Sequence, residues 1–138
     1  MAMNMNILNQ YARHAHWLVR LSLAATFIYH SIPKFMNPGM MGMPVIMVIM
    51  VGLAELGGAL LLLWGGFGPD WATRLGSAFF AIVMLGAIMM VHLAYGWNSI
   101  NMGMGNMGKG MEFQTLILVI SLYFVFKGNS VSTETAIV

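Results

Sequence analysis

The sequence predicts an all-α fold, a polytopic membrane protein built as an antiparallel bundle of four transmembrane helices with short loops. Three observations carry this. Of the 138 residues, 59% are hydrophobic and 7% charged, against about 25% charged in an ordinary soluble domain. Four apolar stretches divide the chain, most of them near the roughly 17–25 residues that cross a bilayer as a helix. The connections between them are short, which makes consecutive helices antiparallel neighbours.

Residues 1–16 read as an N-terminal interfacial segment. Ile7, Leu8 and Tyr11 recur at helical spacing, with Arg13, His14 and His16 placed for the headgroups; a frayed start to the first span accommodates the same residues. Span 1 runs from Trp17 to Phe35. Its apolar run Leu21–Tyr29 lies too late for a signal peptide and continues into His30 and Lys34. Arg20 is expected to reach the near interface on its long stem, Pro33 to bend the last turn, and Lys34 to mark the far end. A Pro/Gly turn over 36–43 leads to span 2, Pro44 to Phe67, closed by Gly65-Gly66-Phe67-Gly68-Pro69. Span 3 follows Asp70, placed to cap the helix start, and reaches Tyr95. Residues 98–110, rich in Gly, Asn and Met, exclude a lipid-facing helix. Span 4 is Met111 to Phe126, ended by Lys127-Gly128-Asn129. The membrane domain is thus 17–128, with 129–138 a solvated tail.

Arg13, Arg20, Arg74 and Lys127 lie on the side that holds both termini, Lys34 and Lys109 on the other. Positive charge collects inside, so both termini are expected in the cytoplasm, with the chain integral to a bacterial cytoplasmic (inner) membrane. The net charge of +2 orients a membrane protein and gives no nucleic-acid partner; the lipid bilayer is the partner the composition demands. The absence of cysteine removes disulfides, thiolate metal sites and cysteine nucleophiles.

The candidate site grows from Glu55, the one charge between Pro44 and Trp64. A carboxylate near the middle of a membrane helix costs roughly 2.5–3.5 kcal/mol on insertion scales, so it is expected to face the interior and to have a partner. Eleven residues from Pro44 put it about 16 Å deep. His30 and Lys34, one turn apart, lie in the outer half of span 1, His92 in that of span 3, and Glu112 in the first turn of span 4. Tyr29, Tyr95, Trp97 and Gln114 fall at similar depth. Each has a plainer reading: Lys34 a snorkelling cation, Glu112 a complement to its helix dipole, either histidine a satisfied interior group. Together they predict one polar layer, with Lys34 paired to Glu55 or Glu112 and imidazoles completing the hydrogen bonds. His30, a Met/Gly loop and Glu55 are echoed by His92, a Met/Gly loop and Glu112, a weak sign of two repeated hairpins.

Sixteen methionines are an excess. Met40 and Met43 in the first outer loop, with Met102, Met104 and Met107 in the second, are soft thioether ligands of the kind that select Cu(I). The plainer reading is flexible apolar filling.

The ordered set Phe27-Ile-Tyr-His-Ser-Ile-Pro-Lys34, Ala54-Glu55-Leu-Gly-Gly-Ala-Leu-Leu-Leu-Leu-Trp-Gly65, His92 and Glu112-Phe113 resembles the DoxX family of small four-helix integral membrane proteins, over about residues 17–128. The chain departs from the family at Ser31, where Gly usually follows the histidine. Family members include a subunit of a thiosulfate:quinone oxidoreductase, and others are tied to membrane redox defence. The resemblance therefore implies a subunit of a redox, quinone-linked membrane complex, whose His/Glu/Lys site handles a quinone or protons. No flavin, haem or iron–sulfur signature is present, so no intrinsic cofactor is evident and the chain is expected to work with other membrane-protein subunits. The first alternative is a non-catalytic scaffold or assembly subunit, or a homo-oligomer, packed through its many glycines. The second is Cu(I) handling by the Met-rich loops.

Overall fold

A computed structural model describes residues 10–100 and 108–132, the side chains of Met40 and Met41 excepted. Four long helices follow one another. Helix α1 is His16–Met36 and leads through a 3-10 turn, Pro38–Met41, to α2, Val45–Phe67. Helix α3, Asp70–Ala87, runs on through a π turn, Ile88–His92, and a 3-10 turn, Leu93–Tyr95. Helix α4 is Glu112–Lys127, extended by a 3-10 turn, Gly128–Ser132. No strand occurs among the described residues.

Among the described residues, three stretches are long and apolar enough to cross a membrane: 45–67, 70–95 and 112–132. Helix α1 differs because its polar residues dilute it. Its 21 residues span about 31 Å, and its buried positions are Arg20, Leu23, Ala24, Phe27, Ser31 and Lys34. That spacing is one stripe of a helix. Both charges thus sit on the inward stripe, while Leu18, Leu21, Tyr29 and Ile32 face out. The amphipathicity is inverted relative to a water-soluble helix, which suits a bundle whose surroundings are apolar. Helices α2 to α4 likewise present Ile46, Phe67, Ile82 and Phe126 to the outside, and the π turn presents Met89.

Each helix packs on the next, α1 on α2, α2 on α3 and α3 on α4. The core joins Leu23, Ala24 and Phe27 to Ala59, Leu62, Phe80 and Phe124. The Phe27 and Phe80 rings stack, with centroids 3.7 Å apart. Helices α2 and α3 meet backbone to backbone at two glycines: a Cβ on Gly76 would stand 2.6 Å from the Gly58 carbonyl oxygen, and one on Gly58 2.9 Å from the Gly76 oxygen. Neither backbone can yield without opening the pair. Gly76→Ala is therefore expected to destabilise the bundle by about 1–3 kcal/mol, the usual range for overpacking, measured by thermal unfolding in detergent.

Along the chain, the helix ends depart from the sequence reading in two places. Pro69, not Asp70, holds the cap position of α3, with no side-chain cap. Asp70 is the first helical residue. Its carboxylate takes the Arg74 Nε–H one turn on, and its Oδ1 accepts the Asn129 N–H at 2.6 Å. Residues 129–132 are not a solvated tail, because Asn129 folds back onto the ends of α2 and α3; residues 133–138 lie outside the described residues. Of the N-terminal segment, residues 10–12 are helical and 13–15 turn, with Tyr11, Arg13 and His14 exposed; Ile7 and Leu8 lie outside the described residues.

Candidate functional site

Lys34 and Glu55 meet where the buried stripe of α1 faces that of α2. The Glu55 stripe runs Val48, Gly52, Glu55, Gly58, Ala59 and Leu62. Gly52 makes the room: a Cβ there would lie 3.1 Å from the Phe35 ring and 3.3 Å from the Lys34 Cβ. The Lys34 ammonium donates to Glu55 Oε1 at 3.0 Å and to the His30 backbone carbonyl at 2.8 Å. Glu55 Oε2 is 2.8 Å from the same nitrogen, so the ammonium is shared between the two carboxylate oxygens. The side chains are 10% and 4% exposed. Two opposite charges taken together out of water each offset part of the other's desolvation.

The remaining residues of the expected layer do not join this pair. The His30 ring lies on the outer face, edge-on to Tyr29 with centroids 5.9 Å apart. Only its backbone serves Lys34. His92 Nδ1 donates to the Lys109 carbonyl at 2.8 Å, since a carbonyl can only accept. The Lys109 ammonium lies 5.3 Å from the centre of the Tyr95 ring. Glu112 Oε1 accepts the Ser99 N–H at 3.1 Å, and the Glu112 N–H donates to the Trp97 carbonyl at 3.1 Å. His92, Tyr95, Trp97 and Glu112 thus fasten the ends of the connection between α3 and α4 to one another. Gln114 Oε1 is buried and accepts no hydrogen bond among the described residues. Met102, Met104, Met107 and the side chain of Met40 lie outside the described residues, so the copper expectation falls there with them; Met43 is half-buried. Among the described residues no group of three or more His, Asp or Glu could hold a metal.

A second charged centre, at the other end of the bundle, was missed in the sequence. Arg20 does not reach the interface; it is fully buried. Its Nη1 donates to the Leu62 carbonyl at 2.7 Å and to Thr73 Oγ1 at 2.9 Å, its Nη2 to Asn129 Oδ1 at 2.9 Å, and its Nε to His16 Nδ1 at 3.0 Å. The guanidinium lies 4.9 Å from the Phe124 ring centre, a cation–π distance. Asn129 Nδ2 continues the network to the Gly65 and Gly68 carbonyls, at 2.8 and 3.0 Å, where α2 ends and its carbonyls carry the negative end of the helix dipole. Every one of these acceptors is neutral. The one available signal was that Arg20 shares a stripe with Leu23, Phe27 and Lys34.

The DoxX family model matches residues 15–93, from the start of α1 to the end of the π turn. The chain belongs to the DoxX family. Proteins of that family are small membrane proteins, and the matched segment contains Arg20, Lys34 and Glu55. An uncharacterized protein of Haemophilus influenzae is 29% identical over 136 residues, covering 90% of each chain. A Bacillus subtilis protein named "Putative oxidoreductase CatD" is 29% identical over 119 residues, covering 81% of this chain and 78% of its own. No solved structure matches. This DoxX protein is accordingly an integral membrane protein of helical architecture.

Proposed function

We propose that this DoxX protein is a small subunit of a quinone-linked redox system in the bacterial cytoplasmic membrane, and that the Lys34–Glu55 pair is its working group. The observation that carries the reading is the buried Lys34–Glu55 ion pair, whose side chains are 10% and 4% exposed. Such a carboxylate can accept a hydrogen bond from a quinol hydroxyl or take up its proton, while Lys34 compensates the charge. The name of the Bacillus subtilis relative supports a redox setting. The chain acts with a partner oxidoreductase, which supplies the electron carrier.

The test is extraction of quinone from protein purified in mild detergent, alongside identification of co-purifying chains. Wild-type protein is expected to retain quinone near one per chain and Glu55→Gln to lose most of it. Equal quinone in both proteins would remove Glu55 from the site, and robust quinone reduction by the cofactor-free chain alone would overturn the subunit role. A scaffold reading is favoured by one observation, the backbone contact of Gly58 and Gly76, which builds rigid helix pairs. Under that reading Glu55→Gln changes stability and leaves quinone content untouched.

In this proposal α1 is the fourth span and both termini are cytoplasmic. Single cysteines at Asn37 and Ser130 test it on intact cells with an impermeant maleimide. Asn37→Cys is expected to label at once and Ser130→Cys only after permeabilisation; the opposite pattern reverses the orientation.

A further inference from the structure

The Arg20 centre stands behind an open pocket. The pocket holds about 430 Å³ and is lined by His16, Gly66, Phe67, Gly68, Asn129, Ser130 and Ser132. That volume is within the usual range of roughly 300–1,000 Å³ for small-molecule sites. Fourteen residues of α1 separate Arg20 from Lys34, about 21 Å along the helix, so this is a site apart from the ion pair.

Two features point to the ligand. The first is charge. This end of the bundle carries Arg13, Arg20, Arg74 and Lys127, and among the described residues its one carboxylate is Asp70. Asp70 bonds Arg74 and the Asn129 N–H, and the buried guanidinium has only neutral acceptors in direct contact. Asp70 alone does not balance the four cations at this end, and the excess positive charge attracts an anion. The second is a tautomer. The Arg20 Nε–H always donates, so His16 Nδ1 must be the bare nitrogen of that ring. A neutral His16 then carries its proton on Nε2. The ring is half-exposed and lines the pocket, and the Nε2–H is its free donor.

We propose that this pocket binds a phosphate group. His16 Nε2–H donates to a phosphate oxygen, and Arg20, one layer behind, supplies the attracting charge and holds the donor tautomer. Two sources present this chemistry: the headgroup of an anionic phospholipid at the membrane surface, or free phosphate.

The experiment uses the full chain in a neutral, phosphate-free detergent. Inorganic phosphate is titrated by equilibrium dialysis, and phosphatidylglycerol is titrated against phosphatidylcholine by native mass spectrometry. Saturable binding of inorganic phosphate identifies a site for the free anion; retention of phosphatidylglycerol over phosphatidylcholine, without free phosphate binding, identifies the lipid headgroup. In either case His16→Phe is expected to weaken binding about tenfold, as for one lost charge-assisted hydrogen bond. His16→Gln, whose amide can accept from Arg20 and donate to the pocket, is expected to stay within about threefold, a difference of less than one hydrogen bond. Ser130→Trp, which fills the pocket from its rim without touching Arg20, is expected to abolish binding and decides the matter if His16→Phe does not fold. Binding of neither probe, or binding equal in wild-type, His16→Phe and Ser130→Trp proteins, overturns the proposal.

Discussion

Lys34→Met is expected to lower the stability of the folded bundle by about 3–5 kcal/mol, the usual consequence of leaving a buried charge without its partner. The partner here is Glu55, 3% exposed, whose polar contacts among the described residues are to the Lys34 ammonium. Methionine replaces the stem of the lysine but offers the carboxylate nothing. Glu55→Gln is expected to lose less: the ammonium keeps the His30 carbonyl, and the amide oxygen can still accept from it. The double change Lys34→Met with Glu55→Gln removes both charges and is expected to recover much of the loss. Denaturation in detergent, followed by tryptophan fluorescence, measures all three. Additive losses in the double variant would show that the two side chains are not energetically coupled.

Arg20→Met is expected to produce a loss of similar size, about 3 kcal/mol or more, because four hydrogen bonds from a charged donor disappear together, each worth roughly 1.5–3 kcal/mol before non-additivity. The Leu62 carbonyl, the Thr73 hydroxyl, Asn129 and His16 all lose a donor. Methionine fills the stem volume, so the loss reports the polar network and not a cavity. Arg20→Lys is expected to restore only part of it, since an ammonium cannot reproduce a planar fork that spans three helices and the turn after α4. Asn129→Ala is expected to cost less, about 1–3 kcal/mol, and to loosen the end of α2 where Asn129 holds the Gly65 and Gly68 carbonyls. Thermal unfolding in one detergent ranks the four proteins. A midpoint for Arg20→Met equal to wild type would show that the network is dispensable.

The helices themselves were legible without any structure. Apolar runs of membrane length, with Gly and Pro between them, dictate where the helices begin and end to within a residue or two, since each stretch must satisfy its backbone internally in lipid. Glu55 was legible for the same reason: a lone carboxylate inside such a run needs a partner. Which partner was another matter. His30 and Lys34 stand one turn apart, yet the buried stripe of α1 passes through Ser31 and Lys34 and leaves the His30 ring outside. That outcome depends on how α1 is rotated against α2, which the glycine gap at Gly52 decides and no local pattern encodes. His92 and Glu112 had the right depth, but depth does not distinguish a site from a loop fastening. Arg20 shows the limit most plainly. Its distance from the helix end implied a cation reaching for water. Its acceptors lie 42 residues on at Leu62, 53 at Thr73 and 109 at Asn129. Composition and spacing settled where the long apolar helices lie and which charge needed compensation. Only the tertiary packing, by bringing those distant carbonyl, hydroxyl and amide oxygens to one point, made an interior position the lower-energy place for that guanidinium.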